Sequence, residues 1–350
     1  MESKKKITIK DVARKAGISK GTVDRVIHNR GEVSEESAVK VSKAIEELGY
    51  EPNVFASMLA SKKEHLIACL LPAFSSEDYW SMSNEGVERG AAMAKSFNVT
   101  VRTFNYDQYD IESFKSACCE VLDAEPSGVV LAPMFKNETR NFVEKLSEKR
   151  IPYAYVDSKI EEDDYFTYFG LPMYQSGYLS AYLLTMREKP SKAAVVRILR
   201  DKAKQSDPTI NRREGFMDYM SEHFPECEIQ NIFINPNDPE SIATTLQEFF
   251  ANHPDFHHIV MFNSRVFLIT TYLESHPDSL RRVIGYDNLK QNLAALRTGT
   301  VSALITQHAD NQCFNAIQAL SDLIVLKKTP AKKDNYMHMD ILTRYNIDYY

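Results

Sequence analysis

The sequence predicts a small all-α head joined to a larger α/β body of two lobes. Three observations carry this. Three short amphipathic helical patterns fill the first 52 residues, and from residue 66 apolar strand-like runs alternate with amphipathic stretches. Charge also changes sign between the parts. Residues 1–63 hold 13 Lys and Arg against 9 Asp and Glu, while 64–350 hold 29 against 39, so the net −6 hides a head near +4 and a body near −10. Only the head is then suited to meet a polyanion. A chain of 350 residues can bury more than one core. No apolar run approaches the roughly 20 residues of a membrane helix, so no membrane partner is expected. The opening MESKKKITIKDVARKAG lacks the apolar segment of a secretory signal. Cysteines 69, 118, 119, 227 and 313 show no CxxC spacing, and helical neighbours 118 and 119 point about 100° apart. The expectation is a reduced, cytoplasmic protein without metal or cofactor.

In the head, Thr8 stands three residues before Asp11, the spacing of an N-cap with an acidic first turn. Ile9, Val12, Ala13 and Ala16 follow as one apolar stripe, and Gly17 allows the tight turn that ends it. Ser19 caps a second helix. Its Val23, Val26 and Ile27 share one face; Gly21, Arg25 and His28 lie opposite, flanked by Thr22 and Asn29 on one side and Lys20 and Asp24 on the other. Ser34 opens a third helix, with Glu35 and Glu36 at its positive end, and Gly49 and Pro52 stop it. Two short helices joined by a Gly turn and backed by a third describe a helix-turn-helix module. Asp24 is four residues from both Lys20 and His28. It can orient Lys20, accept from a cytosine amine, repel wrong registers, or stand solvated on the flank.

The body reads as strands at 66–72, 99–104, 127–133, 151–157, 192–199, 229–234, 257–262, 282–287 and 301–307, separated mostly by amphipathic stretches of 10–16 residues. Such alternation builds parallel, doubly wound sheets, here two Rossmann-like halves dividing near 165–170. Ligands of these folds sit at the carboxyl ends of strands. Asp157, Asn263, Asp287 and Gln307 all end or follow strands, and Phe74, Tyr79 and Trp80 follow the first. Carboxylates accept from adjacent hydroxyls, Arg donates, and rings stack on the apolar face of a sugar. The alternative for Asp287 is a helix N-cap before NLKQNL.

Residues 7–63 resemble the DNA-binding head of the lactose-repressor (LacI) family, through T-x-x-D-V-A-x-x-A-G-I-S-x-x-T-V-x-R-V, then V-S and G-Y-x-P-N. The resemblance implies that Lys20, Gly21 and Arg25 face base edges, that Thr8, Ser19, Thr22 and Ser34 meet phosphate, and that His28 and Asn53 belong to the same surface. It implies a head over 1–52 and a hinge over 53–63 whose Leu59 wedges into the minor groove of a near-palindromic operator bound by a homodimer. Asp24 departs from the Ser usual there. The body, 64–350, resembles the family's effector domain of the type I periplasmic-binding-protein fold, with lobes expected over 64–168 plus 308–335 and over 169–307 plus 336–350. Arg212 matches an Arg three residues before a Gly-aromatic pair. Ser158, Ser264 and Pro172 stand where members often carry Arg, Asp and Asp, so the expected effector is an unusual carbohydrate: a cyclitol, a sugar phosphate or an oligosaccharide fragment. A transporter's solute receptor would fit the body but needs export. An enzyme is not expected, for no nucleophile–base pair, metal motif, GxGxxG or P-loop appears.

Overall fold

The structure, a computed structural model, describes residues 7–27, 31, 33–50, 64–199 and 209–350. It comprises two units, 1–63 and 64–350.

The first unit has α1 (Ile9–Ala16), α2 (Lys20–Ile27) and α3 (Glu35–Leu48). A capping box starts α1: the Thr8 N–H and hydroxyl donate to Asp11 Oδ2 at 3.0 and 2.7 Å. Gly17 ends it at φ 67°, where a Cβ would be strained. Ser19 Oγ accepts from the Thr22 N–H at 3.2 Å, and Ser34 Oγ from the Ser37 N–H at 3.4 Å. Val12, Val23, Val41 and Ala44 form the buried centre, with Val26 and Ile27 packed against it.

In the second unit the first lobe has six parallel strands in the order β11-β5-β4-β3-β1-β2. These are β1 (His65–Pro72), β2 (Val99–Tyr106), β3 (Gly128–Leu131), β4 (Tyr153–Asp157), β5 (Thr167–Gly170) and β11 (Asp334–Tyr336). The second lobe runs β12-β10-β9-β8-β6-β7. Its strands are β6 (Lys192–Ile198), β7 (Glu228–Ile234), β8 (His258–Met261), β9 (Arg282–Tyr286), β10 (Ala303–Thr306) and β12 (Asp340–Leu342), the last antiparallel to β10. Helices on both faces bury alternate strand residues. Ala194 and Val196 of β6 enter one core, while Ala193 and Val195 enter the other.

The chain crosses between lobes three times: after β5, after β10, and between β11 and β12. The expected lobe limits at 168 and 335 cut through β5 and β11, which pair Tyr168 with Asp334 and Gly170 with Tyr336. That strand, TYFG, was not among the expected runs. Four residues are too few to display an alternation, and its place comes from burial between β4 and β11. The adjacent cysteines part as a helix requires, Cys118 buried and Cys119 exposed. Among the described residues, no helix is long and apolar enough to cross a membrane.

Candidate functional site

A cavity of about 90 Å³ lies between the two lobes, at the carboxyl ends of their strands. Tyr79, Trp80, Asp157, Arg212, Asn263, Asp287 and Gln307 all line it, so seven of the eight residues expected there come together. Phe74 does not; it is 38% exposed. It lies in the loop before the helix Tyr79–Ala94, whose first turn buries Tyr79 and Trp80 instead.

Two carboxylates face one guanidinium in this cavity. Asp157 and Asp287, just past or at their strand ends, have φ 66° and 64°, left-handed values that Asp tolerates better than branched residues. Asp157 Oδ1 accepts from the Tyr79 hydroxyl at 2.8 Å, and its N–H donates to Gln312 Oε1 at 2.8 Å. Asp287 Oδ2 accepts from Gln307 Nε2 at 3.1 Å. It is no N-cap: the following helix, Lys290–Thr298, has Leu289 at that position. Arg212 donates Nη1 to the Phe262 carbonyl at 2.7 Å and Nη2 to Gln307 Oε1 at 3.0 Å. Its guanidinium lies 4.3 Å from the Tyr286 ring centroid, and its buried Nε has no partner.

Burial dominates the acid–base behaviour. It pushes Asp287 up to about 7, aided by the Asp157 charge and opposed by Arg212 and Gln307. Burial also raises Asp157, against the pull of Arg212 and the Tyr79 hydroxyl. These carboxylates are acceptors short of donors, in a site able to desolvate a hydroxylated molecule.

Gln307 lines the cavity and also braces it. Its amide joins Arg212 to Asp287, and its carbonyl accepts from Gln312 Nε2 at 2.9 Å, so it holds the cage in shape. Gln312 and Asn292 escaped the sequence reading. Gln312 ties Gln307 to Asp157; Asn292 Nδ2 donates to the carbonyls of Ser264, Tyr286 and Asp287 at 2.8, 3.0 and 3.1 Å. A signal was present: each amide interrupts the buried stripe of its helix, Gln312 between Ala309, Cys313 and Ala316, and Asn292 before Ala295 and Leu296. Arg265 and Asp78, 3.6 Å apart, join the lobes at the cavity.

In the head, Thr8, Ser19, Lys20, Gly21, Arg25 and Ser34 are exposed and Thr22 is half-buried. Gly21 and Arg25 lie on the face of α2 opposite buried Val23, and Lys20 is on its flank. A Cβ at Gly21 would meet only Ser19 Oγ, at 3.9 Å, so its own packing does not demand glycine. His28, Asn53, Leu59 and the hinge lie outside the described residues.

Residues 8–53 match the profile of the bacterial regulatory proteins of the lacI family, and 67–328 that of a periplasmic binding protein domain. The chain belongs to the LacI family. It is similar to a Bacteroides fragilis protein assigned as a LacI transcriptional regulator: 35% identity over 82% of this chain and all of that one, TM-score 0.78. The ribose operon repressor of Lactococcus lactis subsp. lactis is 25% identical over 81% of this chain and 82% of its own length. Catabolite control protein A of Priestia megaterium is 32% identical, but over only 42% of each chain. A carbohydrate transporter of Acidothermus cellulolyticus, solved with myo-inositol, shares the fold at 15% identity, covering 82% of this chain and 96% of that one with TM-score 0.69.

Proposed function

We propose that this LacI-family regulator is a repressor that binds a near-palindromic operator as a homodimer in the bacterial cytoplasm. Its DNA affinity is controlled by a neutral, polyhydroxylated effector, a monosaccharide or cyclitol, held between the lobes. The observation that carries the effector class is the cage: two carboxylates, buried Asp287 and half-buried Asp157, against one buried guanidinium, Arg212, beside Trp80. Carboxylates accept from vicinal hydroxyls, and the indole offers an apolar face. The cage sets a single guanidinium against two carboxyl groups, too little positive charge to balance a phosphate. The effector shifts DNA affinity only as far as it prefers one lobe arrangement over another. Exposed Lys20 and Arg25 on α2 support that helix as the one that reads bases, with Thr8, Ser19, Thr22 and Ser34 toward phosphate. A transporter's receptor has no use for such a head.

The test uses the chain's sole tryptophan, Trp80, which lines the cavity. Pentoses, hexoses, inositols and their phosphates are titrated while its emission is recorded. The reading expects a saturable change with an unphosphorylated compound, abolished in Asp157→Asn, and a matching change in operator affinity. A response confined to phosphorylated compounds would overturn the neutral-ligand assignment; no response to any compound would overturn the sugar cage.

A further inference from the structure

We propose that the end of the second lobe remote from the cleft carries a binding site for a small phosphorylated molecule. A hollow of about 560 Å³ opens at the amino-terminal ends of β9 and β10, bounded by the end of the helix Met173–Thr185 and by residues 341–345. Four arginines line it (Arg187, Arg281, Arg282 and Arg344) against one carboxylate, Asp278. That carboxylate is already held by His257 Nδ1 at 2.6 Å and the Leu280 N–H at 2.9 Å.

Among the described residues, none of the four has a carboxylate partner within 4.0 Å. Their donors go to neutral acceptors instead. Arg281 Nη1 donates to the carbonyls of Leu273 and His276 at 3.2 and 2.6 Å, and Arg282 Nη1 to the Arg281 carbonyl at 3.0 Å. Arg344 Nη2 donates to the Tyr345 hydroxyl at 2.7 Å. The Nε atoms of Arg281 and Arg282 are buried without a partner.

This arrangement is costly without an anion to offset it. The body holds 39 acidic residues, ample to pair four guanidiniums, yet this hollow receives only the one that His257 engages. Four like charges around a single carboxylate repel, and an anion brought among them reduces that repulsion. Phosphate suits them best: it carries nearly two charges and three acceptor oxygens, which planar guanidinium forks bind in pairs. The Tyr345 ring, 4.9 Å from the Arg344 guanidinium, supplies an apolar face for the rest of the molecule. The site is separate from the cleft. Arg282 opens β9 and Asp287 follows its end, five residues or roughly 16 Å of extended chain away.

The experiment is calorimetric titration of the full chain at low ionic strength with inorganic pyrophosphate, glucose 6-phosphate and AMP. Saturable binding is expected for wild type. It should weaken at least tenfold in Arg187→Gln/Arg344→Gln, whose side chains are exposed, and stay unchanged in Lys149→Gln/Lys328→Gln, a surface pair elsewhere. The head's own affinity for anions is common to all three proteins, so the difference reports the hollow. Preference for the sugar or the nucleoside phosphate over pyrophosphate identifies which tail Tyr345 receives. If the double arginine variant loses its fold, Arg344→Gln alone is used, with a threefold loss expected. No saturable binding, or equal affinity in wild type and the arginine variant, would overturn the site.

Discussion

Replacing Asp287 by Asn should change how stability depends on pH. This carboxyl is 2% exposed and its pKa is pushed up to about 7 by burial, from 3.8. The native state therefore binds its proton more tightly than the unfolded chain does. Stability from this group is full below about pH 4, falls as pH rises through the window from 3.8 to about 7, and is then gone. A shift of roughly three units at ~1.4 kcal/mol each corresponds to about 4 kcal/mol lost by pH 8. Asparagine carries no charge to desolvate, and its Oδ1 can still accept from Gln307 Nε2. The variant should thus lie within about 1 kcal/mol of wild type near pH 4.5 and exceed it by about 4 kcal/mol at pH 8. At about 2–4 °C per kcal/mol for a unit of this size, the Tm difference at pH 8 is about 8–16 °C. Thermal melts of both proteins at half-unit steps from pH 4.5 to 8 measure it, and the other acids cancel in the difference. A Tm difference that is the same at pH 5 and pH 8 would refute the reasoning, because it would mean that Asp287 titrates as an exposed carboxyl does.

Three further substitutions probe the scaffold. In Gly177→Ala the new Cβ would stand 1.7 Å from the Arg212 carbonyl oxygen, so the helix Ile210–His223 must move away. About 3 kcal/mol of stability should be lost, together with Trp80-detected ligand affinity below the Tm, and an unchanged affinity would show that Arg212 does not depend on this contact. Tyr79→Phe deletes the donor to Asp157 Oδ1; it should cost about 2 kcal/mol at pH 8 and less at pH 5, where the raised Asp157 is more protonated, as chemical denaturation at both pH values would show. Arg25→Ala should relax base preference at one operator position by about 1–3 kcal/mol, read from binding to a set of single-base operator variants. An unaltered preference profile would remove Arg25 from base recognition.

The sequence by itself determined what depends on near neighbours. Helical stripes, the caps at Thr8 and Ser34, and the turn at Gly17 arise from residues three or four apart, and the alternation of strand and helix follows from periods of 2 and 3.6. Strand-end polar residues marked the cleft for the same reason. Only the tertiary structure decided the partners. Asp157 meets Tyr79 and Gln312 across 78 and 155 residues of chain, and Arg212 meets Gln307 across 95. Nothing local showed that Gln307 would bridge Arg212 and Asp287. β5 became a strand because β11 arrives beside it from 166 residues further on. Hydrogen-bond partners and buried charge are set by which surfaces the closed fold brings within about 3 Å, and that distance belongs to the packing of both lobes.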